Sequence, residues 1–252
     1  MKHRLPVIAA LMLLQPLAHT SAAETTLDLG PDVTVTQLSD RVWMHTTRHV
    51  LDDGQRIPSN GLIVAAGENV VLVDTAWGVP QTRAVLDWAK RIIGRPVNRA
   101  VLTHGHADRI AGLPVLRAEG IELFYAAEAT LGDAARQGDV WLQDTGTRIP
   151  VAEGVEVFYP GAAHTPDNIM VWISPEAILF GGCAVRADAA EGLGNTADAD
   201  LAAWRQAIHY VLTRYPEPRL VVPGHGDPGP AELLVLTRGH IARAEDAART
   251  AR

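Results

Sequence analysis

"VLTHGHADRIAG", residues 101–112, decides how the rest of the chain is read. An apolar run ends at Leu102, and His104, His106, Asp108 and Arg109 follow within seven residues. Apolar runs bounded by turn residues read as strands. A strand that ends in imidazoles and a carboxylate carries metal-ligating groups to the edge of a sheet, where sites in layered α/β folds form. His104 and His106 share a face if the strand continues and converge in a turn if it does not.

The same ending recurs. His164 lies in "GAAHTPDN" (161–168), Cys183 in "GGCAV" (181–185) and His225 in "PGHGD" (223–227). With His104, His106 and Asp108 they make six nitrogen, oxygen and sulfur donors at strand ends in glycine-containing turns. That number suffices for two zinc ions, each with three protein ligands and an open position. Any single histidine is more often structural than ligating; six donors at matched strand ends are a metal signal. His209 and His240 fall in helical stretches, and His45 and His49 in what reads as a polar loop, so these four are expected to be structural or solvated.

Strands are expected at 33–38, 61–66, 69–74, 97–103, 121–126, 154–159, 168–173, 177–182 and 219–224, and helices at 80–93, 113–120, 127–137, 199–215 and 230–249. Pro80 and Pro230 sit in first turns, where a missing N–H costs nothing. The two halves run in similar order: "NVVLVDT", helix, "RAVLTHGH", then "AILFGGC", helix, "RLVVPGHG". This weak repeat predicts an α/β fold of four layers (αβ/βα), two mixed sheets face to face with helices on the outer faces. One domain over 24–252 is expected, with halves of about 24–150 and 151–252.

Residues 1–23 read as an export signal: Lys2, His3 and Arg4, a short apolar core, then "TSAA" before a cut after Ala22 or Ala23. That core is too short to span a bilayer. A soluble periplasmic chain without a lipid or membrane anchor is expected. Removing 23 of 252 residues leaves 229, and losing Lys2 and Arg4 takes the net charge from −7 to −9. An acidic surface argues against nucleic acid and anionic membranes as partners. A lone cysteine in an exported chain forms no internal disulfide; Cys183 is buried, paired between chains, or ligated to metal.

The pattern H-x-H-x-D-R, a lone His, "GGC" and "PGHG" resembles the class B metallo-β-lactamases, in particular the first subclass, which places a cysteine in the second zinc site. "VDTAWG" (73–78), "FYPGAAHTPDN" (158–168) and "GNTADADLAAW" (194–204) are most similar to the VIM-type enzymes. Relatives on the same fold with other hydrolytic activities carry H-x-H-x-D-H and an aspartate in place of Cys183; Arg109 stands where their extra histidine would be. The resemblance implies two zinc ions per chain, the first held by His104, His106 and His164 and the second by Asp108, Cys183 and His225. It implies a monomer that hydrolyses the amide of penicillins, cephalosporins and carbapenems by metal-activated water, conferring antibiotic resistance. Asp108 and Asn195 would take part in catalysis; Arg186, Asn195 and Trp77 would bind substrate; Asp74 and Arg109 would support the ligands from behind. Another exported hydrolase of this fold, a lactonase or thioesterase, is the alternative. Three departures stand out: a mostly polar hairpin at 45–61, a glycine at 105, and Ala190 in place of an arginine.

Overall fold

The computed structural model describes residues 25–126, 128–136, 139–142 and 144–250; the expected export signal lies outside these residues. The chain builds two sheets in sequence. The first takes β1 (Thr26–Gly30), β2 (Val33–Ser39), β3 (Val42–Val50), β4 (Arg56–Ala66), β5 (Asn69–Val73), β6 (Arg99–Val101), β7 (Glu122–Tyr125) and β8 (Val140–Trp141), side by side in that order. Pairing is antiparallel from β1 to β5 and parallel from β5 to β8. The second runs β13-β12-β11-β10-β9, from β9 (Arg148–Ala152), β10 (Val155–Phe158), β11 (Met170–Ile173), β12 (Ile178–Gly182) and β13 (Leu220–Pro223). Only its β12–β13 pair is parallel.

The period-two pattern of the strands explains the layering. Leu62, Val64, Val71 and Val73 of the first sheet face Val155, Val157, Ile178 and Phe180 of the second in one buried cluster. The alternate residues, Ile63, Val70 and Leu72, pack outward with Val85 and Trp88 of α1 (Val79–Ile93) and with Leu116 of α3 (Leu113–Ala118). Leu179 and Val221 pack outward against Trp204 and Ile208 of α5 (Leu201–Arg214) and Leu234 of α6 (Glu232–Thr250). The four-layer arrangement follows. Local signals start and stop the helices: α1 has Pro80 in its first turn and ends on left-handed Gly94, and the Asp200 carboxylate accepts from Ala203 N–H at the start of α5.

Several elements differ from the sequence expectation. The helix expected at 127–137 is α4 (Glu128–Leu131) followed by a 3-10 turn at Gly132–Ala134; Gly132 and Asp133 are poor helix formers, and residues 127 and 137 are outside the described set. Strands β1, β3, β8 and β9 were not expected. The supposed polar loop at His45 and His49 is β3, one arm of a long hairpin with β4. Its centre is buried although polar, because Thr46 Oγ1 donates to Asn60 Oδ1 (2.9 Å) and His45 Nε2 meets the Asp74 carbonyl oxygen at 3.2 Å.

Burial holds His45 down, at a pKa of about 4 against an ordinary 6.5. A group whose folded pKa is depressed contributes stability above its unfolded pKa and loses it as pH falls through the folded value. The metal-free chain should therefore lose up to about 3 kcal/mol from this residue between about pH 6.5 and 4. Melting temperatures across that window should fall less steeply in His45→Gln than in the parent; parallel curves would refute the assignment.

Candidate metal centre

The carboxyl ends of β5, β6, β12 and β13 meet at one edge of the sandwich, and each delivers a polar residue. Asp74 follows β5, His104 and His106 follow β6, Cys183 follows β12 and His225 follows β13. A four-residue helix, α2 (Ala107–Ile110), carries Asp108 and Arg109. His164 comes from the loop between β10 and β11, where Thr165 N–H donates to Asn168 Oδ1 at 2.7 Å. Two backbone hydrogen bonds cross between the sheets beneath these residues: Ile169 N–H to Thr103 O and Asn60 N–H to Gly224 O, both 2.9 Å. They fix the halves of the site relative to each other.

The six donors fall into two triads. His104, His106 and His164 form one, and Asp108, Cys183 and His225 the other; in each, one donor atom per residue lies within 4.8 Å of the others. His164 Nε2 and His106 Nδ1 face each other at 3.2 Å. Cys183 Sγ is 3.3 Å from His225 Nε2, and Asp108 Oδ2 is 3.2 Å from the same nitrogen. Outer partners settle the tautomers. The carbonyl oxygen of Pro58 accepts from His225 Nδ1 at 2.6 Å, which leaves a lone pair on Nε2. Asp198 Oδ2 accepts from His106 Nε2 at 3.0 Å, which leaves one on Nδ1.

A cation fits this arrangement. Both ring nitrogens of buried His104 and Nδ1 of His164 lack a hydrogen-bond partner, a costly state for buried polar atoms unless an ion takes the lone pair. Burial holds His104 well below the usual imidazole range and His164 at about 4, so both rings are neutral, the ligating form. Burial pushes the Cys183 thiol up against the pull of Arg109, so the sulfur becomes a thiolate only with added positive charge beside it. Burial raises Asp108, but the neighbouring Arg109 charge outweighs it and holds the carboxyl well below its usual range.

Arg109 ties the second triad to the fold. Fully buried, it donates from Nη1 to Asn60 O (2.6 Å) and Asp74 Oδ2 (3.2 Å), and from Nη2 to Gly224 O (2.9 Å) and Cys183 Sγ (3.1 Å), with Asp108 Oδ2 at 2.8 Å. Burial opposes its charge, yet Asp108, Cys183 and Asp74 together raise it above the usual guanidinium range. Asp74 accepts from Thr103 N–H (2.7 Å) and Thr103 Oγ1 (2.8 Å); burial raises its pKa to about 6 against the pull of Arg109. Its backbone sits at φ 59°, a conformation costly to a non-glycine residue and met mostly at functional sites. Gly224 admits the guanidinium: a Cβ there would lie 2.7 Å from the Cys183 sulfur and 2.8 Å from Arg109 Nη2. The glycine at 105 has a similar cause, since a Cβ would come 2.7 Å from the Thr130 carbonyl oxygen.

The triads open into a cavity of about 730 Å³. Trp77, Arg186 and Asn195 all line it. Trp77 is stacked under His49 of the hairpin, ring centroids 4.5 Å apart, and lies 6.5 Å from the His225 ring. Leu51 and Ile57 supply apolar lining from the hairpin despite its polar sequence. Arg186 is anchored by Nε to Gly192 O (2.8 Å), and its own N–H donates to Thr237 Oγ1 on α6 (2.9 Å). Asn195 is exposed and its Oδ1 accepts from Ala197 N–H at 3.0 Å, a turn-forming bond.

Comparison with known proteins agrees with this geometry. The Metallo-beta-lactamase superfamily pattern matches residues 54–225. The chain belongs to the metallo-β-lactamase family. A Bacillus sp. (strain 170) relative, "Metallo-beta-lactamase type 2", is 38% identical over 209 residues, 81% of this chain and 80% of that protein. One of the same name from Bacteroides fragilis is 33% identical over 86% of this chain and 88% of its own length. Among solved structures, the metallo-β-lactamase FIM-1 from Pseudomonas aeruginosa, in a mono-zinc form, matches with a TM-score of 0.77 at 37% identity, over 86% of this chain and 98% of that one. The Pontibacter korlensis metallo-β-lactamase matches at 0.74 and 38%, over 83% and 99%. Metallo-β-lactamase membership accounts for the fold and for a zinc-type donor set. Among the described residues no helix is long and apolar enough to cross a membrane.

Sequence reasoning missed Asp198, Pro58 and Asn60. Asp198 lies 92 residues from His106. Asn60 donates to Pro223 O (3.0 Å) and Gly226 O (2.7 Å), more than 160 residues away. Asp198 appears in "GNTADADLAAW", but nothing local marks it as a histidine partner. Asp198→Ala should weaken metal binding at the histidine triad about 10- to 100-fold, as loss of a ligand's outer partner does. Because Asp198 is exposed, the metal-free melting temperature should hold. A competition titration with a chelating dye reads the affinity; an unchanged constant would remove Asp198 from the site.

Proposed function

We propose that this chain hydrolyses the amide bond of β-lactams with two zinc ions, as a member of the first, cysteine-containing subclass of its family with VIM-type motifs. One observation carries the reading: two neighbouring triads of metal-ligating donors open into one mostly apolar cavity. His104, His106 and His164 would hold the first ion, and Asp108, Cys183 and His225 the second. The chemistry such a pair supplies when bound is Lewis acidity: activation of water near neutral pH and polarisation of a carbonyl oxygen.

The chain's own residues do the rest. Arg186, its Nε held by Gly192 O, forks its two Nη groups onto the oxygens of the substrate carboxylate. With its Oδ1 held by Ala197 N–H, Asn195 offers its amide N–H to the lactam carbonyl oxygen as charge grows there. Asp108, held ionised beside Arg109, chiefly sets charge and position at the second ion, and handling the reaction's proton is its secondary role. Trp77, Leu51 and Ile57 exclude solvent from the reacting amide. Asp74 and Arg109 fix the ligands from behind. No serine nucleophile is required. The bacterial relatives and the signal-like residues 1–23 support a periplasmic site of action, and nothing in the proposed reaction needs a second copy of the chain.

Purified protein loaded with zinc should hydrolyse nitrocefin and imipenem, lose that activity to a chelator and regain it with zinc. Metal analysis should give two ions per chain. Intact nitrocefin in the presence of two bound ions, with turnover of a lactone or thioester instead, would overturn the proposal.

A further inference from the structure

The cavity and its mouth differ in chemistry. Among the described residues that line the cavity, Arg186 is the one arginine or lysine and Asp108 the one carboxylate. Leu51, Ile57 and Trp77 give apolar lining from the hairpin and the end of β5, and Ala187, Ala189 and Ala190 from the segment after Cys183. Interior charge is therefore spent on one substrate carboxylate, and the remaining lining accepts an aryl or alkyl group. Three segments, residues 48–58, 186–198 and 224–230, supply most of the lining (Leu51 to Pro58, Arg186 to Asn195, His225 and Gly226), and their residues flanking the lining are taken as its mouth. These segments carry six acids, Asp52, Asp53, Asp188, Glu191, Asp198 and Asp227, all exposed. The same segments hold three arginines. Arg186 is half-buried inside, and Arg56 is engaged by Asp32, leaving Arg48 as the counterweight.

We infer that this acidic mouth selects β-lactams by the charge of their acyl side chain, favouring cationic or neutral substituents over anionic ones. The inference rests on the hydrolytic reading above and adds the substrate class to it. Opposed charges at the distances of a cavity mouth interact weakly in water, but several acting together change affinity measurably. The effect belongs to encounter and binding, so it falls on KM more than on kcat.

Three penicillins that differ only at the α-carbon of a phenylacetyl side chain isolate it: benzylpenicillin (hydrogen), ampicillin (amine) and carbenicillin (carboxylate). Their shared ring carboxylate cancels what Arg186 and the metal centre contribute. At about pH 6.5 the amine is protonated, below the ordinary α-amino range. The expected order of kcat/KM is ampicillin, benzylpenicillin, carbenicillin, with about a five- to tenfold span between the extremes. Raising salt from about 0.1 M to about 1 M, which shortens the screening length from about 10 Å to about 3 Å, should shrink that span toward unity. The double variant Asp188→Asn, Glu191→Gln should shrink it about two- to threefold at low salt, mainly through carbenicillin. Equal or better turnover of carbenicillin overturns the inference. So does the expected order if it ignores both salt and the double variant, because that pattern is steric. Turnover of none of the three, with metal bound, overturns the hydrolytic reading itself, which benzylpenicillin distinguishes from a failure of charge selection.

Discussion

On the two-zinc proposal, Cys183→Ala is expected to cost the enzyme at least about 100-fold in kcat/KM on nitrocefin and to drop its metal content from two ions to one. The sulfur is buried at the cavity wall, 3.3 Å from His225 Nε2 and 3.5 Å from Asp108 Oδ2, and no other protein donor stands ready to take its place. Loss of a ligand should exceed the 10- to 100-fold cost of losing a ligand's outer partner. The fold should survive. Arg109 Nη2 keeps Gly224 O and Asp108 as partners when the sulfur goes, and alanine leaves a small gap in a wall that already faces the cavity. The first triad is untouched, so the remaining ion should stay. Metal analysis together with initial rates reads both effects. A variant with two bound ions and parental rates would show that the thiol is a bystander, and the second triad would then need another member.

The degree to which this was legible from sequence follows from the range of each interaction. Strand ends, helix starts and the H-x-H-x-D spacing are local, and they place His104, His106 and Asp108 beside one another within one turn. The repeat of strand, helix and Gly-His put Cys183 and His225 at equivalent ends of the second sheet. The strand character of β3 left no trace because "VWMHTTRHV" buries a run of polar residues, with His45 on the Asp74 carbonyl and Thr46 on Asn60, rather than alternating apolar with polar. Buried polar groups satisfied by distant residues leave no periodic trace. The short strands β8 and β9 are equally silent, being two and five residues long. Arg109 could be named from a family pattern, but its role is three-dimensional: its partners lie 35, 49, 74 and 115 residues away.

That role makes Arg109→Leu the most damaging single change expected for the fold. The guanidinium has no solvent exposure; it balances the carboxylates of Asp74 and Asp108, donates to the Cys183 sulfur and satisfies two backbone carbonyls. Leucine of similar bulk leaves buried charges without a partner, and breaking one side of a buried pair costs about 3–5 kcal/mol. That is a large share of the roughly 5–15 kcal/mol by which a domain is stable. For a chain of this size it corresponds to a fall in melting temperature of about 6–20 °C. The loss should be greatest without metal, because bound cations beside Asp108 and Cys183 replace part of the missing positive charge. Arg109→Lys should fall between, keeping the charge but losing the fork that reaches Asn60 O and Gly224 O together. Adding Asp74→Asn to Arg109→Leu removes one orphaned carboxylate and should recover part of the deficit. Thermal melts of the four proteins, each with zinc and with chelator, test the scheme. A metal-free Arg109→Leu protein melting within about 2 °C of the parent would mean that the surrounding carboxylates reach neutrality another way, and the electrostatic account of how the second triad is held would fail.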